Sequence, residues 1–143
     1  MTGQPITLQT ALIYLMIVVA GADQELQQTE MTRIGQIVRR YPVFEEFNVE
    51  TMIPAMRDCA DILSRDDGLA TVFGLIRSAI DADWAETAYC VACDVAAADG
   101  SLRTLERRIL DTVRSTLGVE RLAAAAIERA TAARWRRPTA DSR

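Results

Sequence analysis

From Val95 to Glu106 the chain reads VAAADGSLRTLE, and its second half, Asp-Gly-x-Leu-x-x-x-Glu, has the spacing of the later part of a calcium-binding EF-hand loop. Carboxylates at Asp99 and Glu106 are hard oxygen donors, suited to Ca²⁺, Mg²⁺ or Mn²⁺ rather than Zn²⁺. An EF-hand loop also takes oxygen ligands at its first and third positions, which here are Val95 and Ala97. Neither has a side-chain oxygen. A simple EF-hand is excluded, and any ion held by this motif must borrow oxygens from elsewhere in the fold.

Other chemistries are narrowed by what the chain lacks. There is no His, and all 16 basic residues are Arg. Ser-His-Asp and Cys-His catalysis are therefore out, as is the commonest nitrogen ligand for metals. Cys90 and Cys93 form a CxxC, but inside a helical pattern with Tyr89, Val91 and Val95, whereas redox pairs sit at a helix N-terminus where the dipole lowers the thiol pKa. With Cys59 the three thiols fall one ligand short of a zinc site, so buried thiols are expected, with thiol-based handling of metalloid oxyanions as the alternative. Trp84, Trp135 and Tyr14 read as core or interface aromatics. Paired carboxylates can do acid and base work only in a cleft that separates their pKa values, so no enzymatic activity is expected.

Charge is unevenly placed. Residues 1–102 hold 15 acids and 6 Arg, residues 103–143 hold 5 acids and 10 Arg, and the whole chain carries -4. Arg129, Arg134, Arg136 and Arg137 in the C-terminal stretch could dock an acidic protein partner, while the acidic remainder repels nucleic acid. The most apolar run, Ala11 to Ala22, has 12 residues, short of the roughly 20 that span a bilayer. No basic residue precedes it, as a signal peptide would require. It reads as a buried helix of a cytoplasmic protein, with peripheral contact at a membrane surface as the other use of such a segment.

These residues must be positioned by helices. At 143 residues the chain suits one domain with a real core. Thr7 can cap a first helix reaching about Ala22. A second ends at Arg40 before Pro42, with Ile34, Ile37, Val38 and Tyr41 along one face. Asn48 is the expected cap of a third, whose start Pro54 should kink or shift. Asp66-Asp67-Gly68 separates it from a fourth, about Leu69 to Ile80. Asp83 and Glu86 resemble a capping box opening a fifth that reaches Ala98. A sixth runs from about Arg103 to Leu117 and stops at Gly118. A last, Ala-rich helix closes before Pro138, leaving 138–143 as an expected disordered tail. No stretch alternates long enough to predict a strand, so the fold class is all-α, a single compact domain of about seven helices.

An offset of 76 residues lays Ala20, Ala22, Asp23, Leu26 and Glu30 onto Ala96, Ala98, Asp99, Leu102 and Glu106. The same offset pairs Ile34 with Leu110, Ile37 with Val113 and Tyr41 with Leu117. The apolar helix face thus recurs in register, which predicts two related helical hairpins, about 8–41 and about 84–117, joined by the segment from Pro42 to Asp83.

With its two motifs, AGADQELQQTE and AAADGSLRTLE, in an all-α domain of this size, the chain resembles the TerB family of tellurite-resistance proteins over most of its length. The resemblance implies a helical fold built by internal duplication and a link to tellurite resistance and wider chemical stress. It further implies no established enzymatic activity, acidic residues proposed to bind metal, and a part in protein complexes, since related domains occur beside J-domains and signalling modules. The family's acidic positions fall on Asp23, Glu30, Asp99 and Glu106. The first copy departs from the pattern at Gln24, where Gly is usual and tolerates positive φ, so the two turns need not share a shape.

Two accounts of these four acids stand side by side. In one, each Asp accepts backbone N–H groups of its own turn and each Glu places negative charge at the positive end of the following helix, so the acids hold hairpins together. In the other, the hairpins bring the carboxylates together, where their repulsion is relieved by a divalent cation.

Overall fold

A computed structural model gives the fold; it describes residues 5–21, 28–97 and 104–140, with the side chains of 104–106 left aside. Among the described residues seven α-helices follow one another: α1 (Leu8–Ala20), α2 (Gln28–Arg40), α3 (Met52–Leu63), α4 (Gly68–Ala79), α5 (Ala85–Ala97), α6 (Thr104–Leu117) and α7 (Arg121–Arg134). Short 3₁₀ turns at Pro42–Phe44, Val49–Thr51 and Ala82–Trp84 connect them, and the described residues contain no strand. The chain is all-α, as expected.

The centre is α1. Every residue from Ala11 to Val19 is buried, with Leu12, Ile13, Leu15, Met16 and Ile17 fully so. A helix that is apolar all round has to be enclosed all round. It packs on α5, α3 and α4, and each of those large side chains gains about 1.5–3 kcal/mol on leaving water. The run therefore forms the core and has no face left for a membrane surface. No described helix is long and apolar enough to cross a membrane.

Local chemistry sets the ends. Thr7 caps α1 as expected, its hydroxyl accepting the Thr10 N–H at 3.1 Å. The helix stops at Ala20, two residues earlier than expected, because Gly21 takes the left-handed conformation (φ 85°) that closes it. Gly118 does the same for α6 at φ 72°, with the Val119 N–H reaching back to the Arg114 carbonyl at 3.1 Å. Asn48 caps the 3₁₀ turn Val49–Thr51, and Pro54 falls in the first turn of α3, where its missing N–H would have had no helical partner. The cap before α5 differs from expectation. Asp81, not Asp83, accepts a backbone N–H, that of Asp83 itself at 3.0 Å, because a 3₁₀ turn precedes the helix and moves the cap upstream.

The amphipathic helices bury the predicted faces: Ile34, Ile37 and Val38 on α2, Leu110 and Val113 on α6. Of the three helix-face pairs at the 76-residue offset, Ile34 with Leu110 and Ile37 with Val113 are buried and Tyr41 with Leu117 is partly buried, and the bounds of α1 and α5 and of α2 and α6 follow the same offset to within a residue or so. Helix α5 is enclosed on most sides, packing chiefly on α7 and α1 and then on α6.

Two glycines of α4 have opposite roles. A Cβ on Gly68 would meet the Ile62 carbonyl oxygen at 2.2 Å and the Leu63 Cα at 2.7 Å, both backbone atoms that cannot step aside. A Cβ on exposed Gly74 meets nothing within 4 Å. Gly68→Ala is expected to cost about 1–3 kcal/mol, and Gly74→Ala to gain about 0.5–1 kcal/mol by restricting the unfolded chain. Thermal unfolding of the two variants should move in opposite directions.

Candidate functional site

The duplicated acidic turns lie largely beyond what the structure describes. Asp23 and Asp99 fall outside the described residues, as does the side chain of Glu106. Glu30 is the third residue of α2 and Glu106 the third residue of α6, the equivalent place in each helix. Among the described residues, no three acids or thiols converge on a point that could hold a metal ion.

What the fold does assemble is a cleft of about 890 Å³ between α2, α5 and the end of α7. One wall is the α2 face carrying Arg33, Ile37 and Arg40, at i, i+4 and i+7. The other carries Trp84, Thr87 and Cys90 from the 3₁₀ turn and α5. Tyr41, Pro42 and Val43 close one end, and Arg134 and Trp135 another.

Asp94 organises this space. It sits on α5 among apolar neighbours and is only 7 % exposed. Its Oδ1 accepts from Arg134 Nη2 at 2.9 Å and from Trp135 Nε1 at 3.0 Å, and its Oδ2 accepts from the Tyr41 hydroxyl. A buried carboxylate without such donors would be costly, so the three bonds fix the end of α2 and the end of α7 against α5. Arg134 is steadied further by Thr131, whose hydroxyl accepts from Nη2 at 3.1 Å and donates to the Ile127 carbonyl at 2.8 Å. The hydrogen bond and charge of Asp94 raise the Arg134 pKa, and burial followed by the bond to Asp94 raises that of Tyr41. On the far side of α5, Tyr89 donates to Glu128 of α7 at 2.6 Å, and Arg107 of α6 stands 3.6 Å from the same carboxylate.

Of the arginines singled out in the sequence, Arg134 is thus bonded internally through a half-exposed side chain, while Arg129, Arg136 and Arg137 are exposed. Both tryptophans line the cleft, and Tyr14 belongs to the core. Asp94 was not singled out, although a lone Asp within the apolar stretch YCVACDVAAA is the signal that marks it. The CxxC lies in the middle of α5, with Cys93 buried and Cys90 facing the cleft. Burial pushes the Cys59 and Cys93 thiols up to about 12. Burial also raises Cys90, and the Asp94 charge outweighs the opposing pull of Arg134. Protonated thiols are poor nucleophiles, which disfavours thiol chemistry at neutral pH.

A family model described as "Tellurite resistance protein TerB" matches residues 9–129. No curated protein and no solved structure matches the chain.

Asp94→Ala leaves the Tyr41 and Trp135 donors without their acceptor, and because Arg134 can turn to solvent the expected loss is about 2–3 kcal/mol. Denaturant unfolding should record it, with a smaller loss for Asp94→Asn. The thiols generate a pH dependence. A folded Cys59 or Cys93 keeps its proton to about 12, whereas an unfolded cysteine releases it near 9.0. Between those values the unfolded state binds fewer protons, so stability should fall as pH rises through that window. Ellman's reagent at neutral pH is expected to label Cys59 and Cys93 only on unfolding.

Proposed function

Since the chain belongs to the TerB family of tellurite-resistance proteins, we propose that it serves the tellurite or chemical-stress response as a non-enzymatic binding module that docks an acidic protein partner. The observation that carries this reading is the positive mouth built at the end of α7. Arg134 and Trp135 are anchored on Asp94, so the exposed Arg136 and Arg137 are delivered beside a cleft whose opposite wall holds Arg33 and Arg40. Among the described residues the carboxylate lining the cleft is Asp94, which is committed to its three donors and is scaffold rather than reagent. Three unbridged cysteines support a cytoplasmic setting.

A second reading, a divalent cation held by Asp23, Glu30, Asp99 and Glu106, is favoured by the equivalent third-residue placement of Glu30 and Glu106 in α2 and α6. That placement also suits the structural account, in which each glutamate complements the helix dipole.

Removing residues 119–143 would be a poor test of docking, because it strips α7 and the buried Ala124 and Thr131 from α5. The Arg136→Glu, Arg137→Glu double variant instead reverses charge at two exposed positions and leaves α7 in place. In a tellurite-sensitive bacterial host, the wild type is expected to raise tolerance and the folded double variant to lose most of the gain; full tolerance in the variant would count against C-terminal docking. Calorimetric titration with Ca²⁺, Mg²⁺ and Mn²⁺ tests the second reading. Heat lost in a folded Asp99→Ala, Glu106→Ala variant supports a cation site, and no heat in the wild type counts against it.

A further inference from the structure

We infer that the cleft between α2 and α5 is itself the docking groove, and that its occupant is an acidic peptide segment of the partner with an apolar anchor residue; this rests on the acidic-partner reading above. Charge argues first. Among the described residues neither Arg33 nor Arg40 has an ion pair, and the one acid lining the cleft is neutralised by Arg134. Glu86, one turn before Cys90 on α5 and close enough to raise its thiol, is an opposing charge nearby. The groove is thus a basic island on a chain of net charge -4.

The remaining lining identifies the rest of the ligand. Ile37, Pro42, Val43, Trp84 and Trp135 supply apolar surface between the guanidinium groups. A bare phosphate-sized anion would leave that surface unused in a space of about 890 Å³. Trp84 lines the cleft and is 39 % exposed, a large aromatic left partly in water. Arg, Trp and Tyr are the side chains that dominate binding energy at protein interfaces, typically by receiving an anchor residue in a pocket. Nucleic acid fits less well, because two or three arginines neutralise too few phosphates against an acidic chain. Exposed Arg136 follows Trp135 of the cleft directly in the chain, which suits a segment running past the cleft better than a compact molecule enclosed by it. A groove between two helices with apolar walls and charged rims is the shape that accepts an amphipathic segment.

Both tryptophans of the chain, Trp84 and Trp135, line this groove, so intrinsic tryptophan emission reports on it alone. The probe is a synthetic, tryptophan-free peptide of Glu and Leu at helical spacing. Its comparators are the same peptide with Lys for Glu, free glutamate, and phosphatidylglycerol vesicles. The Glu-Leu peptide is expected to shift the emission, to bind more weakly as salt rises, and to lose about tenfold in affinity in the Arg33→Gln, Arg40→Gln variant. Salt dependence and competition on the wild type carry the test if that variant misfolds. An equal response to the Lys peptide, or full affinity in the variant, would overturn the groove. So would a full shift from glutamate alone, meaning a small-anion site, or from vesicles alone, meaning a membrane site. If the acidic peptide binds and is lost only in Arg136→Glu, Arg137→Glu, the groove fails while acidic-partner docking survives. If it binds nowhere, both fail.

Discussion

A carboxylate on an enclosed helix must be supplied with donors, and the way Asp94 is supplied constrains the rest of this molecule. Its three hydrogen bonds come from the residue after α2, from the last residue of α7 and from the residue after α7. Two stretches far apart in the chain, at Tyr41 and at Arg134–Trp135, are thereby fixed to one carboxylate on a third. Each bond alone is worth only about 1–3 kcal/mol, but the geometry they impose is specific. Because Tyr41 and Trp135 must both reach Asp94, α2 and α7 end at the same level of α5, and the cleft lies between these three elements.

The apolar frame around that point is simpler in origin. Helix α1 has no polar face, so α3, α4 and α5 enclose it, and α5, apolar on most sides, has to be covered in turn by α6 and α7. Helices α2 and α6 need cover on one face only, and their charged faces remain outside. Charge is consequently sorted by position in the fold. The arginines of α2 and the end of α7 meet at one cleft, although they come from opposite ends of a sequence whose first part is acidic overall.

The same enclosure decides which chemistry the chain can support. Reactive thiols need exposure and a positive field, and α5 denies Cys93 both. Cys90 has Arg134 nearby, but Asp94, which holds Arg134 in place, offsets its effect on the thiol. After burial, the carboxylate that builds the cleft is thus what most raises the pKa of Cys90, the cysteine facing it.

Much of this was legible in the sequence, because much of it is local. The apolar run of α1, the i, i+3, i+4 face of α2, the Thr7 cap and the stop at Gly118 all depend on residues within a turn or two of one another, so composition and spacing determined the helices and the all-α class; the family came from the resemblance of two short local motifs, AGADQELQQTE and AAADGSLRTLE. The cap before α5 was misplaced by two residues because a 3₁₀ turn, set by how the chain enters the bundle, precedes the helix. The cleft was not legible at all. It depends on Tyr41, Asp94 and Arg134 meeting across separations of 53 and 40 residues, and no local pattern encodes such a meeting. Sequence could say that Arg134 is basic and that Asp94 interrupts an apolar helix; only the packing of α2 and α7 against α5 decided that each exists to satisfy the other.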